Sequence, residues 1–419
     1  MIQDVTPPAR RPKQTRARPI GKVAMKAEEH KPAHAEPEFR TPEQVAALDT
    51  FTEPVVTHRG TRTSKWRWWP YTRLQRILCA VLVVLLAFGV GAAWTLTHHK
   101  RTVVAETHTK KAAPKPPAPP PVIYSTLTGL PVADASVNQR TVTGVMVENS
   151  LDARPQSGLG DAGVVFEAVA EGGVTRFLAL YQDTAPSNVG PIRSARPYYV
   201  QWAMGFDAAY AHVGGSPDAL ADIKAWGVQD MNQFYNSSYY HRVTTRAAPH
   251  NVYTAVSTLN QLEANKGYAS TFTGFVRGKE APAATPTASG IDFSLSGPIY
   301  NPHYDYIAAT NSYNRSEGGA IHTDANTGKQ LNPKVVIAIV VPLSRGALDS
   351  SGAYYSNYNV IGSGQAYVFQ NGTVTVGAWQ KAGNTAPLTF TDSAGAPLPL
   401  NPGQTWITAV SGANQVKYK

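Results

Sequence analysis

The stretch AAYAHVGGSPDALADIKAWG, residues 208–227, is the part of the sequence that says most about the fold. Its first residues are almost entirely apolar, which is typical of a buried strand. After two glycines, residues 216–218 supply a serine N-cap, a proline in the first helical turn and an early acid. Apolar residues then recur at helical spacing as far as Trp226, and Gly227 ends the pattern. We predict a strand, a Gly-Gly turn and a helix.

The sequence on both sides of this unit continues the alternation of strands and helices. Val142–Val147 and Arg176–Tyr181 are apolar runs rich in β-formers and predict strands. One helix is expected to start near Ala195 and another to cover about 254–266, before a glycine. Residues 127–278 therefore predict a mixed α/β domain.

A change of pattern follows the segment KEAPAATPTASG, residues 279–290, which is typical of a linker. Beyond it the apolar residues alternate with period two, and Asn371-Gly372 is a strong hairpin signal. Further strands are predicted over 334–341, 366–370, 373–376, 388–391 and 405–410. We expect residues 291–419 to form a β-rich α+β domain.

Residues 77–97, ILCAVLVVLLAFGVGAAWTLT, form a run of 21 residues without a charge. About 20 apolar residues cross a bilayer as a helix, so this run predicts one transmembrane helix. Basic residues are more numerous and closer on its amino side, which favours an amino end in the cytoplasm and folded domains outside the cell. Cys79 lies at the start of the run, where it is expected to be an ordinary apolar helix residue.

The charge of the chain is unevenly distributed around this run. The 419 residues carry a net charge of +10, but residues 122–419 hold 18 basic and 19 acidic residues. We expect residues 1–76 to be a disordered basic cytoplasmic arm and 98–126 a proline-rich spacer. A near-neutral folded region gives no support for a nucleic-acid partner. The single cysteine excludes an intramolecular disulfide.

Several longer motifs resemble those of the YerB-like family, bacterial envelope proteins that carry N- and C-terminal domains of unknown function. The similar segments are 128–131 (TGLP), 153–158 (ARPQSG), 171–177 (EGGVTRF), 190–197 (GPIRSARP), 212–216 (HVGGS), 248–253 (APHNVY) and 400–406 (LNPGQTW). The resemblance implies the envelope location and covers nearly all of 127–419. It implies no reaction, and many members resemble lipoproteins instead of having a transmembrane helix.

The choice of basic residues in the first domain indicates an anion site. Residues 122–250 contain seven arginines and one lysine, although either type would serve solubility. Arginine is favoured where a planar fork must hold a carboxylate or phosphate. We therefore expect folding to bring together, in one exterior hollow, the candidate ligand-binding residues Arg154, Arg176, Arg193, Arg196, His212 and Arg246. The alternative is that Glu148, Glu167 and Glu171 neutralise these arginines in buried networks.

The candidate catalytic residues are Glu171 and His250, which could act as general acid and base. No metal or nucleotide motif is present, so no cofactor is expected. The functional prediction is a membrane-anchored envelope protein that binds an anionic cell-wall or glycopolymer ligand. Two alternatives stay open: an enzyme acting on phosphorylated or lipid-linked glycopolymers, and a scaffold for other envelope proteins.

Overall fold

The computed structural model of the chain describes Leu74, residues 77–87 and residues 121–419. Residues 77–87 are helical and exposed to solvent. No helix within the described residues combines the length and the apolar character needed to cross a membrane. Apart from Leu74, the predicted basic arm lies outside the described residues, as do residues 98–120 of the proline-rich spacer and residues 88–97 of the predicted membrane segment.

Residues 121–419 belong to one compact unit that contains three α-helices and 21 strands. The helices are α1 (Pro197–Met204), α2 (Pro217–Ala225) and α3 (Val256–Lys266). The strands of the first half are β1 (Ile123–Tyr124), β2 (Pro131–Val132), β3 (Thr143–Glu148), β4 (Val164–Glu171), β5 (Val174–Tyr181), β6 (Ala209–His212), β7 (Asp230–Asn232), β8 (His241–Arg242) and β9 (Val252–Tyr253). Those of the second half are β10 (Gly290–Phe293), β11 (Pro302–Ile307), β12 (Ser312–Glu317), β13 (Ala320–Ile321), β14 (Val335–Val340), β15 (Leu343–Leu348), β16 (Tyr354–Tyr358), β17 (Gly362–Gln370), β18 (Thr373–Lys381), β19 (Thr389–Thr391), β20 (Thr405–Val410) and β21 (Val416–Tyr418).

One large mixed sheet runs through both halves of the sequence, in the order β19-β18-β17-β14-β20-β4-β5-β3-β6-β7. Strand β20 lies parallel to β14 on one side and to β4 on the other, with Thr405 opposite Val164. The predicted mixed α/β character is confirmed. The shared sheet is not foreseen by the sequence, because strand pairing across more than 200 residues leaves no local pattern. A second sheet, β13-β12-β11-β10-β21, belongs to the second half alone.

The predicted strand–turn–helix unit forms as β6 and α2. The Oγ atom of Ser216 accepts a hydrogen bond of 3.3 Å from the backbone N–H of Ala219, which caps α2. Gly214 in the connecting turn has a φ of +59°, a conformation that favours glycine. The predicted hairpin also forms: Asn371 and Gly372 both have positive φ and join β17 to β18.

Helix α1 begins at Pro197, two residues later than expected, and buries its aromatic face. Trp202 stacks on Phe166 of β4 with ring centroids 4.9 Å apart, and Tyr198 packs edge-on against Tyr358 of β16. These rings therefore belong to the core that covers the central sheet.

The parallel strands of the first half determine where a site can form. Strands β3, β6 and β7 are parallel neighbours, so their carboxyl ends lie at the same edge of the sheet. They end at Glu148, His212 and Asn232. Ligands of α/β sheets commonly bind in the crevice outside this edge.

Candidate functional site

A buried carboxylate and a histidine meet where β3 ends. Glu148 is the last residue of β3 and only 3% exposed, and its Oε1 atom lies 2.9 Å from Nδ1 of His250. Ser150 Oγ donates to the same Oε1 atom at 2.9 Å. A carboxylate can only accept, so Nδ1 of His250 carries a hydrogen, and in the neutral ring Nε2 has the lone pair. Nε2 is 3.8 Å from Oδ2 of the exposed Asp152.

An open cleft of about 660 Å³ adjoins this pair. Its wall consists of Asp152, on the short turn after β3, and of residues 245–248 and His250, on the loop between β8 and β9. This volume is within the range of small-molecule sites, roughly 300–1,000 Å³. The cleft can therefore accept a ligand beside the free nitrogen of His250.

Arg246 spans the cleft wall from the loop to the turn after β3. Its Nη1 atom donates to the carbonyl of Asp152 and its Nη2 atom to the carbonyl of Pro155, the latter at 2.8 Å. Among the described residues no carboxylate lies within ion-pair distance of Arg246. Its charge is thus not neutralised, unlike that of the other four arginines predicted to bind ligand.

Arg193 lies close to both Glu148 and His250, and its Nη1 atom is 3.5 Å from the carbonyl oxygen of Pro249. Its Nε atom is 3.5 Å from Oε1 of Glu148 and, although buried, makes no hydrogen bond. The Oε2 atom of Glu148 is also buried without a partner. Arg193 therefore places positive charge close to the Glu148 carboxylate.

Arg176 and Arg196 do not reach this cleft, and the prediction of one common hollow is wrong for them. Both guanidinium groups donate to Glu171, Arg176 to Oε1 and Arg196 to Oε2, the latter through Nε at 3.1 Å and Nη2 at 2.5 Å. Both arginines are buried, and burial lowers the pKa of Arg176 to about 10. Arg196 also stacks on the ring of Tyr355, 4.7 Å from its centroid. For these two arginines the alternative prediction applies, since Glu171 neutralises both in a buried network.

Glu171 is therefore not placed as a catalytic group. Its two oxygens are occupied by guanidinium donors, and it does not line the cleft beside His250. The carboxylate that contacts His250 is Glu148, which the sequence could not single out because many acids surround this region.

His212 is also a structural residue. It is fully buried at the end of β6, with Nδ1 at 2.6 Å from the carbonyl of Gly214 and Nε2 at 2.9 Å from Asp230 of β7. Both ring nitrogens are satisfied by neighbouring strands and turns, so His212 does not bind a ligand as the sequence suggested.

Arg154 lines a different, smaller hollow on the other side of the turn after β3. Its Nε atom donates to Asn149 Oδ1 at 3.0 Å, and its Nη2 atom lies 3.4 Å from Oε1 of Glu317. Behind it is a buried polar network that the sequence does not reveal. Arg315 Nη2 lies 3.0 Å from Glu167 Oε1, and Arg315 also donates to His322 and Tyr304.

The described residues contain no group of three or more His, Cys, Asp or Glu side chains arranged to hold a metal ion. The side chains on the wall of the cleft supply a cation at Arg246, an imidazole at His250 and an exposed carboxylate at Asp152.

Comparison with known proteins agrees with this architecture. Residues 127–269 match the family described as "Protein of unknown function (DUF3048) N-terminal domain", and residues 291–407 match its C-terminal domain. "Putative lipoprotein YerB" of Bacillus subtilis (strain 168) is 33% identical over 290 residues, which cover 68% of this chain and 85% of that protein. The crystal structure of YerB from Bacillus subtilis superposes with a TM-score of 0.63 at 30% identity, covering 71% of this chain and 99% of the other. The chain belongs to the YerB-like family, whose two domains are of unknown function.

Proposed function

We propose that this protein is an envelope protein that binds an anionic cell-wall polymer in the cleft beside His250. The observation that carries the proposal is Arg246, a cation without a carboxylate partner among the described residues, on the wall of a cleft of about 660 Å³. A phosphodiester placed there would receive charge-assisted hydrogen bonds from the guanidinium and an additional hydrogen bond from a protonated His250. The cleft is open, which suits a segment of a long polymer better than an enclosed small molecule.

The proposed location rests on the sequence and on the relative's name. The uncharged run 77–97 would anchor the chain, with residues 1–76 inside the cell and 121–419 outside. A relative described as a putative lipoprotein is compatible with that side of the membrane. Protease added to intact cells is expected to digest residues 121–419. Protection of this region in intact cells would contradict the topology.

The binding proposal is tested by cosedimentation of the full-length protein with a purified glycopolymer that contains phosphodiester linkages. Arg246→Ala is expected to weaken binding about tenfold, the loss typical of a charged hydrogen bond. Arg246→Lys, which keeps the charge, is expected to retain most of the affinity. Arg140→Ala removes an exposed arginine outside the cleft and is the matched control. Equal losses in the Ala and Lys variants, or none in either, would contradict the proposal.

The contact between Glu148 and His250 supports a second candidate, an enzyme acting on the same class of polymer. Nε2 of His250 would take a proton from water, whose oxygen attacks phosphorus as the bond to the leaving sugar oxygen breaks. The protonated histidine would then return the proton to that oxygen, and Glu148 would hold the imidazole in the required tautomer.

This second candidate has its own test. If the protein hydrolyses the polymer, His250→Gln and Glu148→Gln are expected to lower turnover by about 10²-fold or more, a much larger loss than any they cause in binding. If the wild-type protein shows no turnover, the enzyme hypothesis is rejected and the binding hypothesis stands.

A further inference from the structure

The wall of the cleft beside His250 carries one charge that the proposed function does not use, the carboxylate of Asp152. Asp152 lies in the short 3₁₀ turn Leu151–Ala153, and its side chain is 81% exposed. Among the described residues, His250 is the one basic side chain within ion-pair distance of this carboxylate, with Nε2 at 3.8 Å from Oδ2. The negative charge of Asp152 is therefore available to a ligand in the cleft.

Arg246 and the carboxylate of Asp152 lie on the same wall but do not pair with each other. The Nη1 atom of Arg246 donates to the backbone carbonyl of Asp152, and its Nη2 atom donates to that of Pro155. Since a guanidinium has five N–H donors, these two bonds leave others for a ligand. The cleft thus presents a cation and an anion close together, and neither one neutralises the other.

The balance of these charges distinguishes between two kinds of polymer. The titratable residues that line the cleft are Asp152, Arg246 and His250, so its wall has no net charge while His250 is neutral. The nearby carboxylate of Glu148 is buried, and Arg193 compensates it at 3.5 Å. A ligand that carries phosphodiesters alone would be attracted by Arg246 and repelled by Asp152. A ligand that also carries an ammonium group would be attracted by both.

We propose that the cleft selects a phosphodiester polymer that also carries amino groups, with the phosphate bound at Arg246 and the ammonium group at Asp152. Because Arg246 contacts the carbonyl of Asp152 itself, the two charges of the ligand must lie within one repeat unit. An aminoacyl group esterified to a hydroxyl next to the phosphodiester has this arrangement. The inference rests on the proposed function and deepens it, since it names the chemical class of the polymer.

The test compares two forms of one polymer. The first is a poly(glycerol phosphate) that carries ester-linked alanyl groups. The second is the same polymer after acetylation of its amino groups, which removes the positive charges and keeps the phosphodiesters. Calorimetric titration of the full-length protein is carried out at low ionic strength, because salt screens exposed charges. The wild-type protein is expected to bind the amino form about threefold to fivefold more tightly, the range of an exposed ion pair.

Variants of Asp152 show whether this carboxylate causes the preference. Asp152→Asn is expected to bind the acetylated form more tightly and the amino form more weakly, so that the two affinities agree within about twofold. Changes of opposite sign cannot result from a loss of folded protein. Asp152→Glu keeps the charge and should keep the preference. Asp305→Asn removes a carboxylate that is 61% exposed in β11, outside the cleft, and is the matched control with an unchanged preference.

Failure of this inference differs from failure of the proposed function. Equal affinity of the wild-type protein for the two forms, or a preference that Asp152→Asn retains, would overturn the selection of amino groups. The anion cleft would then stand if Arg246→Ala weakened binding of both forms. Binding of neither form by the wild-type protein would overturn the proposed function and this inference together.

Discussion

The Nη2 atom of Arg315 lies 3.0 Å from Oε1 of Glu167, and neither side chain is exposed to solvent. Glu167 belongs to β4 of the first half of the chain and Arg315 to β12 of the second. The other oxygen of Glu167 accepts from Nε1 of Trp406 in β20 at 3.1 Å. One carboxylate therefore links the shared sheet to the second sheet.

Removing one member of this pair is expected to be strongly destabilising. Arg315→Ala leaves Glu167 buried without its cation and should lower the free energy of unfolding by about 3–5 kcal/mol. Arg345→Ala, at an exposed arginine of β15, should change it by less than about 0.5 kcal/mol. Denaturant unfolding followed by tryptophan fluorescence measures both. Similar, small effects in the two variants would show that the network does not hold the two halves together.

Glu171 is expected to be a structural residue and not a functional one. Glu171→Ala leaves Arg176 and Arg196 buried and unpaired, so the protein should lose about 3–5 kcal/mol of stability. Polymer binding, measured at a temperature where the variant is still folded, should be unchanged. A stable Glu171→Ala variant that no longer binds polymer would restore the single arginine hollow expected from the sequence.

Glu263 of α3 should make stability depend on pH. Burial raises the pKa of Glu263 to about 7, and Oε1 accepts from Oγ1 of Thr143 at 2.7 Å. Between pH 4.5 and 7 the folded protein binds more protons at this site than the unfolded chain. The free energy of unfolding should therefore fall by about 3 kcal/mol as the pH rises through this window.

The Glu263→Gln variant isolates that contribution, since glutamine does not titrate. It should be more stable than the wild-type protein at pH 8, and the difference should vanish near pH 4. Unfolding curves at several pH values give this difference directly. Parallel profiles for the two proteins would mean that Glu263 does not carry the effect.

The hairpin between β17 and β18 depends on Gly372. Its φ is +74°, and a Cβ atom there would lie 2.6 Å from Cε1 of Tyr306. Gly372→Ala should therefore lower the free energy of unfolding by about 1–3 kcal/mol. Gly352 also has a positive φ, but there is open space where its Cβ atom would lie. Gly352→Ala should therefore lower the free energy of unfolding by less. Equal losses would attribute the whole effect to backbone strain.

Local features of this fold could be predicted from the sequence, whereas the arrangement of the site could not. The helix cap and the tight turns depend on neighbours a few residues away, so the sequence is enough to predict them. They are formed by Ser216, Gly214 and Asn371-Gly372. The partners of the arginines are decided by strand pairing, as when β4 and β5 bring Glu171 beside Arg176. The same holds for Glu148 and His250, which are 102 residues apart in sequence.

The two hollows illustrate a further limit. Arg246 and His250 were predicted as site residues and line the cleft, because an arginine and a histidine in an exposed loop carry a chemical signal. The sequence around Glu317 and Ile321 gives no such chemical signal, since alternating polar and apolar residues are ordinary for strands. Only their placement around one hollow distinguishes them.

The most direct test of the central claim is NMR of the full-length protein with ¹⁵N-labelled histidine. His250 should carry a hydrogen on Nδ1, and the phosphodiester polymer should shift its Nε2 resonance in the wild-type protein, whereas Arg246→Ala should need about tenfold more polymer for the same shift. The resonances of the buried His212 should stay unchanged. A polymer that binds without shifting His250, or that shifts it at the same polymer concentrations in Arg246→Ala as in the wild-type protein, would contradict a binding cleft at this position.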